Sequence, residues 1–86
     1  MTTAEAARTT IRAARKAAGY SRQSEFAAHL GRHRDWVARR ERGETPITLD
    51  DLDEWAAGCG AEPWGMLGAI YVAVRPMPSS FRKREA

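Results

Sequence analysis

The sequence predicts an all-α fold of five short helices, and three observations carry the prediction. Apolar residues recur three and four positions apart along most of the chain. Serine, threonine or proline stands where segments begin, and glycine stands where they end. Only residues 70–74 are β-branched and aromatic enough to compete as a strand.

A first helix is predicted over 4–18, capped by Thr3, with Glu5 in its first turn and Gly19 just past its end. Ile11, Ala14 and Ala18 share one face, whose small side chains allow close approach of a neighbour. Ser21 is the expected cap of a second helix over 22–30, with Phe26, Ala27 and Leu30 inward and Gly31 turning the chain. A third helix over 33–42 has Val37 as its one clear apolar anchor and ends at Gly43. Thr48 and Asp51 form a capping-box-like start for a fourth helix, with Ile47 placed to staple onto Leu52. Leu49, Leu52, Trp55, Ala56 and Cys59 form its apolar stripe, and Gly58 and Gly60 mark its end. Pro63 suits the first turn of a fifth helix over 63–70. Ile70-Tyr71-Val72-Ala73-Val74 either continues that helix or becomes a strand, and Pro76 and Pro78 forbid a helix beyond.

At 86 residues there is room for one small domain with a modest core, so a deep catalytic cavity is not expected and dimerisation would add stability. The single cysteine, Cys59, forms no internal disulfide and lies on a core stripe. No apolar run approaches the ~20 residues of a membrane span, and the N-terminus lacks a signal pattern, so a cytoplasmic protein is expected. The two histidines, His29 and His33, accompany neither a recognisable nucleophile motif nor a zinc spacing. An enzyme, a cofactor and a metal site are accordingly not expected.

Charge is polarised along the chain. Residues 8–43 carry +7, residues 44–74 carry −6 with no lysine or arginine, and residues 75–86 carry +3. A basic surface on so small a domain points to a polyanion, with a merely solvated surface as the alternative.

The segment from Gln23 to Gly43 resembles the helix-turn-helix of the phage repressor/Cro family, also called the XRE family. Ala27, Gly31 and Val37 occupy its fifth, ninth and fifteenth motif positions, Gln23 being the first. Ala27 is small where the helices cross, Gly31 makes the turn, and Val37 plugs the third helix onto the second. Glu41-Arg42-Gly43, Thr48-Leu49-Asp50-Asp51-Leu52, Trp55-Ala56 and Cys59-Gly60-Ala61 match the continuation of the pattern. Arg32 and Arg40 depart from it, standing where the family has apolar residues. The stem of Arg40 is expected to pack with its head turned out, and Trp36 to cover the gap.

The resemblance implies a compact lambda-repressor-like DNA-binding domain over 1–72, with the motif at about 22–43 and a strand or basic tail over 73–86. It implies a sequence-specific transcriptional regulator that reads the major groove of double-stranded DNA with helix 33–42, as a homodimer. On a helical wheel Asp35, Arg39 and Arg42 lie opposite Val37, with Ala38 beside them. The base-contacting candidates are Arg34, Asp35, Arg39 and His33. Asp35 either accepts from a cytosine amine or pairs with Arg39 and aims it, and His33 has a helix cap or a phosphate as its alternatives. Phosphate contacts are implied for Arg22, Gln23, Arg32, Arg42 and Thr45, and a structural ion pair for Arg15 and Glu41. The run Val74-Arg75-Pro76-Met77-Pro78-Ser79 resembles the last strand of a Cro protein, which makes Met77 one candidate dimer contact. Trp64, Leu67 and Tyr71 on the fifth helix are the other candidates. Arg82, Lys83 and Arg84 either follow phosphates or are solvated. The rival reading is a protein-interaction module on the same scaffold, antitoxin-like or a phage protein that binds a host protein, with the acidic 44–74 stretch as its surface.

Overall fold

The computed structural model describes residues 1–74, which form five helices in the order α1 (Thr3–Ala17), α2 (Gln23–Leu30), α3 (Arg34–Arg42), α4 (Leu49–Cys59) and α5 (Pro63–Ala73). Among the described residues there is no strand. Met77, the expected C-terminal strand and the basic run at 82–84 lie outside them.

The helix ends follow local hydrogen-bond chemistry. α1 is capped by Thr2 rather than the expected Thr3, because Glu5 lies three residues after Thr2. The Thr2 hydroxyl accepts from the Glu5 amide at 3.1 Å, and the Glu5 carboxylate accepts from the Thr2 amide at 2.8 Å. That pairing holds the Glu5 carboxyl below its ordinary range. α2 begins one residue later than expected, with Arg22 and not Ser21 at the cap position. Glu25 reaches back to the Arg22 amide, and the Ser21 carbonyl is taken by Arg15. α4 starts on the Thr48–Asp51 capping box, with both bonds at 3.0 Å. Gly31, Gly43 and Gly60 end α2, α3 and α4 in left-handed conformations, with φ of 72°, 82° and 68°.

Gly58 does not mark a helix end. It lies inside α4, where a Cβ would come within 2.5 Å of Leu30 Cδ2 and 3.3 Å of the Phe26 ring. The glycine therefore sets how closely α4 approaches α2. The 70–74 alternative resolves as helix through Ala73, with Val74 at the cap position. Met66 and Ile70 are buried four residues apart, while Tyr71 and Val72 are exposed, which is a helical spacing and not a strand alternation. Ala73 thus belongs to α5. Leu49, expected on the α4 stripe, is 69% exposed, because an open groove separates the start of α4 from the start of α5.

Trp55 is the hub of the core. Its indole N–H donates to the Ile11 carbonyl of α1 at 2.9 Å. Its ring meets Phe26 of α2 at 5.0 Å between centroids and stacks on Trp36 of α3 at 5.9 Å. Ile11, Phe26, Val37, Leu52, Met66 and Ile70 belong to the same buried cluster, so all five helices contribute to one core. Cys59 packs against this core, and burial raises its thiol above the ordinary range.

Replacing Thr48 by Val is expected to lower stability by about 1 kcal/mol, because the Asp51 amide loses its acceptor. Urea denaturation measures this, and an unchanged midpoint would show the cap to be redundant.

Candidate nucleic-acid interface

α2 and α3 pack on one another through Ala27 and Val37, both buried, with the Gly31 turn between them. Arg32 N–H donates to the Ala27 carbonyl at 2.8 Å and Gly31 N–H to the Ala28 carbonyl at 3.1 Å, which closes the turn tightly. This is helix-turn-helix geometry. α3 is only nine residues long and poor in apolar side chains, so its seating depends on contacts made by polar groups.

The first contact is a buried ion pair. Arg15 and Glu41 are 3% and 1% exposed. Arg15 Nε donates to Glu41 Oε2 at 2.8 Å, and its Nη2 donates to Oε1 at 3.1 Å. Arg15 Nη1 donates to the carbonyls of Tyr20 and Ser21 at 2.7 and 3.0 Å. The Gln23 side-chain amide donates to Glu41 Oε1 at 2.8 Å. One carboxylate thus joins α1, the 19–22 turn, the first residue of α2 and the last turn of α3. Gln23 was expected at a phosphate, and the structure turns it inward instead. Arg12 also reaches this cluster, with Nε 3.5 Å from Glu41 Oε1 and Nη2 donating to the Glu41 carbonyl at 3.2 Å. Sequence reasoning missed Arg12, although its place three residues before Arg15 puts it on the same helix face.

The second contact replaces the missing apolar anchors. The Arg40 guanidinium lies 4.0 Å from the Trp36 ring centroid and the Arg32 guanidinium 4.6 Å from it. Arg40 Nε donates to Asp51 Oδ2 at 2.9 Å, and its Nη1 donates to the Trp36 carbonyl at 3.2 Å. Arg32 is held bidentately by Glu54, with both bonds at 2.8 Å. Burial pushes the Asp51 carboxyl up, but the Thr48 amide and Arg40 outweigh burial and leave it below its ordinary range. The Arg32 bonds likewise hold Glu54 low. Arg32, expected at a phosphate, is therefore turned onto α4, and the Arg40 head finds an acceptor instead of running out to solvent.

The remaining residues form the outer face of α3. His33 caps the helix, its Nδ1 accepting from the Asp35 amide at 3.1 Å. The other ring nitrogen then carries the proton in the neutral form. Arg34 is exposed and 4.0 Å from Asp35, which also lies 3.7 Å from the His33 ring nitrogen Nδ1. Asp35 is not paired with Arg39. Arg39 is exposed, and among the described residues it makes no ion pair. Ala38, expected beside the outward residues, is buried, because α1 and α2 both pack on α3 and narrow its free face. Arg42 is exposed and donates to Glu44 at 2.6 Å, and Arg22 is exposed at the start of α2. Thr45 is half-buried, its amide donating to the Arg39 carbonyl at 3.4 Å. Among the described residues no buried side-chain polar atom lacks a partner, no cluster of His, Cys, Asp and Glu is placed to hold a metal, and no helix is long and apolar enough to cross a membrane.

Two helices clasped about Ala27 and Gly31, with cations on the outer face of the second, define a DNA-binding helix-turn-helix domain. The sequence profile of the helix-turn-helix domain matches residues 5–64, and the chain belongs to that family, in its XRE-like form. The fold is similar to the solved structure of an XRE-family like protein from Pseudomonas syringae pv. tomato str. DC3000, with a TM-score of 0.73 and 27% sequence identity over 85% of this chain and 88% of that one. No curated protein sequence matches the chain. The family is one of DNA-binding regulators.

Two predictions follow from the seating of α3. Glu41→Ala strands Arg15 without its carboxylate in a buried site and should cost roughly 3–5 kcal/mol, whereas Arg15→Met with Glu41→Leu should recover much of the loss. Thermal and urea unfolding of the two variants beside the wild type measure both effects. The second concerns acid. The folded-state carboxyls of Asp51 and Glu54 lie below 3.8 and 4.5, their ordinary values. Their contribution is full above the ordinary values and is lost progressively as pH falls from there through the lowered ones. The contacts of α4 with Arg40 and Arg32 should therefore weaken only below those ordinary values. An Asp51→Asn/Glu54→Gln variant should show a shallower loss of stability across that range.

Proposed function

We propose that the protein is a sequence-specific regulator of transcription that lays α3 in the major groove of double-stranded DNA and works as a homodimer, in the manner of the Cro-like repressors. The observation that carries this reading is the sorting of its arginines. Arg15, Arg32 and Arg40 are each held by an acid of the fold, while Arg34, Arg39 and Arg42 stand exposed along one helix, Arg42 paired only with the exposed Glu44 two residues on.

Arg39 is the first base reader in this proposal, because it is exposed and makes no ion pair among the described residues. Its guanidinium suits the two acceptors of guanine. Arg34 reads beside it, Asp35 accepts from a cytosine amine, and the His33 ring N–H is offered at the helix start. Phosphates are met by Arg22 and Thr45 on either side and by Arg42, whose exposed partner Glu44 is exchanged for a phosphate oxygen at little cost. Gln23 and Arg32 are left out of the phosphate set, Gln23 because it is bonded to the buried Glu41 and Arg32 because Glu54 holds it by two bonds over the Trp36 ring. The homodimer is placed on α5, where Trp64, Leu67 and Tyr71 are exposed on one face. The same apolar face beside the acidic residues of α4 is the one observation that favours the rival reading, a module that binds another protein.

A selection from random duplexes tests the proposal and should return a palindrome with half-sites about one helical turn apart. Arg39→Ala should relax preference at one or two base positions, losing about 1–3 kcal/mol of discrimination. Arg22→Ala should weaken all sequences alike and flatten the slope of log affinity against log salt by about 0.9. Binding insensitive to salt, or no binding to duplex DNA, would favour the protein-binding module.

A further inference from the structure

An open cleft of about 330 Å³ lies between the start of α1 and the loop that leaves α3. Thr3 and Arg8 stand on its α1 side, and Gly43, Thr45, Pro46 and Ile47 on its loop side. Arg8 is the one charged residue of the lining. It is half-buried, yet among the described residues it joins no ion pair and donates no side-chain hydrogen bond. Arg12 and Arg15, further along the same helix, both reach Glu41. The acids nearest the cleft in sequence, Glu5 and Glu44, are bound to the Thr2 amide and to Arg42.

A glycine sets where Arg8 lies. A Cβ on Gly43 would come within 2.8 Å of Arg8 Nη1, 3.0 Å of its Cδ and 3.1 Å of its Cζ. Without that Cβ, the guanidinium rests against the backbone that caps α3, where it also offsets the negative end of the helix.

We infer that this cleft is a phosphate site, in which Arg8 and the Thr45 hydroxyl hold one backbone phosphate of the duplex beside the end of α3. The chemistry of the lining favours an anion, since it offers a cation and two threonine hydroxyls and no acid. A planar guanidinium matches two phosphate oxygens, and hydroxyls donate to the same group. The site is also partly ordered beforehand, because the Arg8 stem is already packed against Gly43 and loses less freedom when an anion arrives. Its place favours the duplex as the source. The Glu44 and Thr45 amides both donate to the Arg39 carbonyl, at 2.9 and 3.4 Å, which ties the loop to the last turn of α3. A helix laid in a major groove has the sugar-phosphate walls at its flanks. The duplex as occupant rests on the proposed reading of DNA by α3, and the affinity of the cleft for phosphate does not.

The test compares wild type, Arg8→Gln and Arg8→Lys on a short mixed-sequence duplex over a salt series. Arg8→Gln should weaken binding to all sequences alike and flatten the slope of log affinity against log salt by about 0.9, the share of one phosphate. Arg8→Lys keeps the charge and should restore the slope, with affinity still below wild type because an ammonium lacks the two-pronged fit. The urea midpoints of both variants should stay close to that of wild type, since Arg8 has no acceptor in the fold among the described residues. A second arm titrates inorganic phosphate into the free protein and follows the Gly43 and Thr45 amides by NMR. They should move in wild type and stay in place in Arg8→Gln. Duplex binding by Arg8→Gln with the slope and affinity of wild type would overturn the inference and leave the regulator reading standing. A lowered midpoint with an unchanged slope would also overturn it, by making Arg8 a purely structural cation at the end of α3. Absence of duplex binding by wild type would remove the regulator reading and the duplex as occupant. Amide shifts in the second arm would then retain the site for free phosphate, and their absence would overturn it.

Discussion

The seating of α3 depends on one buried carboxylate. Glu41 sits on the last turn of that helix, and its oxygens accept from Arg15 on α1 and Gln23 on α2. Arg15 in turn closes the 19–22 turn through two carbonyls. Burying a charge pair is costly, and this one is tolerable because bonds to neighbouring groups satisfy the remaining lone pairs and protons. What it contributes is placement. The base reading proposed for α3 requires a helix fixed in rotation and along its axis. An apolar contact resists burial loss but permits sliding, whereas a two-pronged ion pair does not.

The rest of the inward face of α3 departs from ordinary helix packing. Val37 is its only large aliphatic core residue, and the guanidiniums of Arg32 and Arg40 lie over Trp36. Guanidinium is planar and weakly hydrated, so it covers an aromatic face with less loss than an ammonium would incur. Trp36 then stacks on Trp55, which carries the contact into the centre of the molecule. Asp51 serves twice, as a capping acid for α4 and as the acceptor of Arg40, so the start of α4 and the inward face of α3 are fixed by one side chain. The basic charge of residues 8–43 is consequently of two kinds. Part of it is structural and neutralised by α4, and part of it is left for a polyanion.

The polarity of the chain has the same logic. The acidic stretch supplies Asp51, Glu54 and Glu44 to arginines of the helix-turn-helix. Of the acids that remain, Asp53 lines the α4–α5 groove beside the exposed Leu49 and Trp64. A domain this small cannot cover every apolar side chain with its own core. What is left over is concentrated on α4 and α5 rather than scattered.

The sequence by itself determined the helices and their punctuation. The Thr48–Asp51 box, the Gly31, Gly43 and Gly60 caps and Pro63 at a helix start act over three or four residues, so their partners are visible in the sequence. Even there, Thr2 and Arg22 took the caps expected of Thr3 and Ser21, because the deciding partner was a glutamate three residues on in each case. The tertiary structure alone decided where the long side chains turned. Gln23 and Arg32 carry no local mark separating them from Arg22 and Arg39. A guanidinium or amide on a long stem takes whichever acceptor the crossing helices bring near, and Glu41 and Glu54 lie 18 and 22 residues away. The same holds for Ala38, Gly58 and Leu49, whose burial, close approach and exposure follow from how near a neighbouring helix comes. Helix formation is a local equilibrium, while the aim of a side chain at the reading face is a property of the packed molecule.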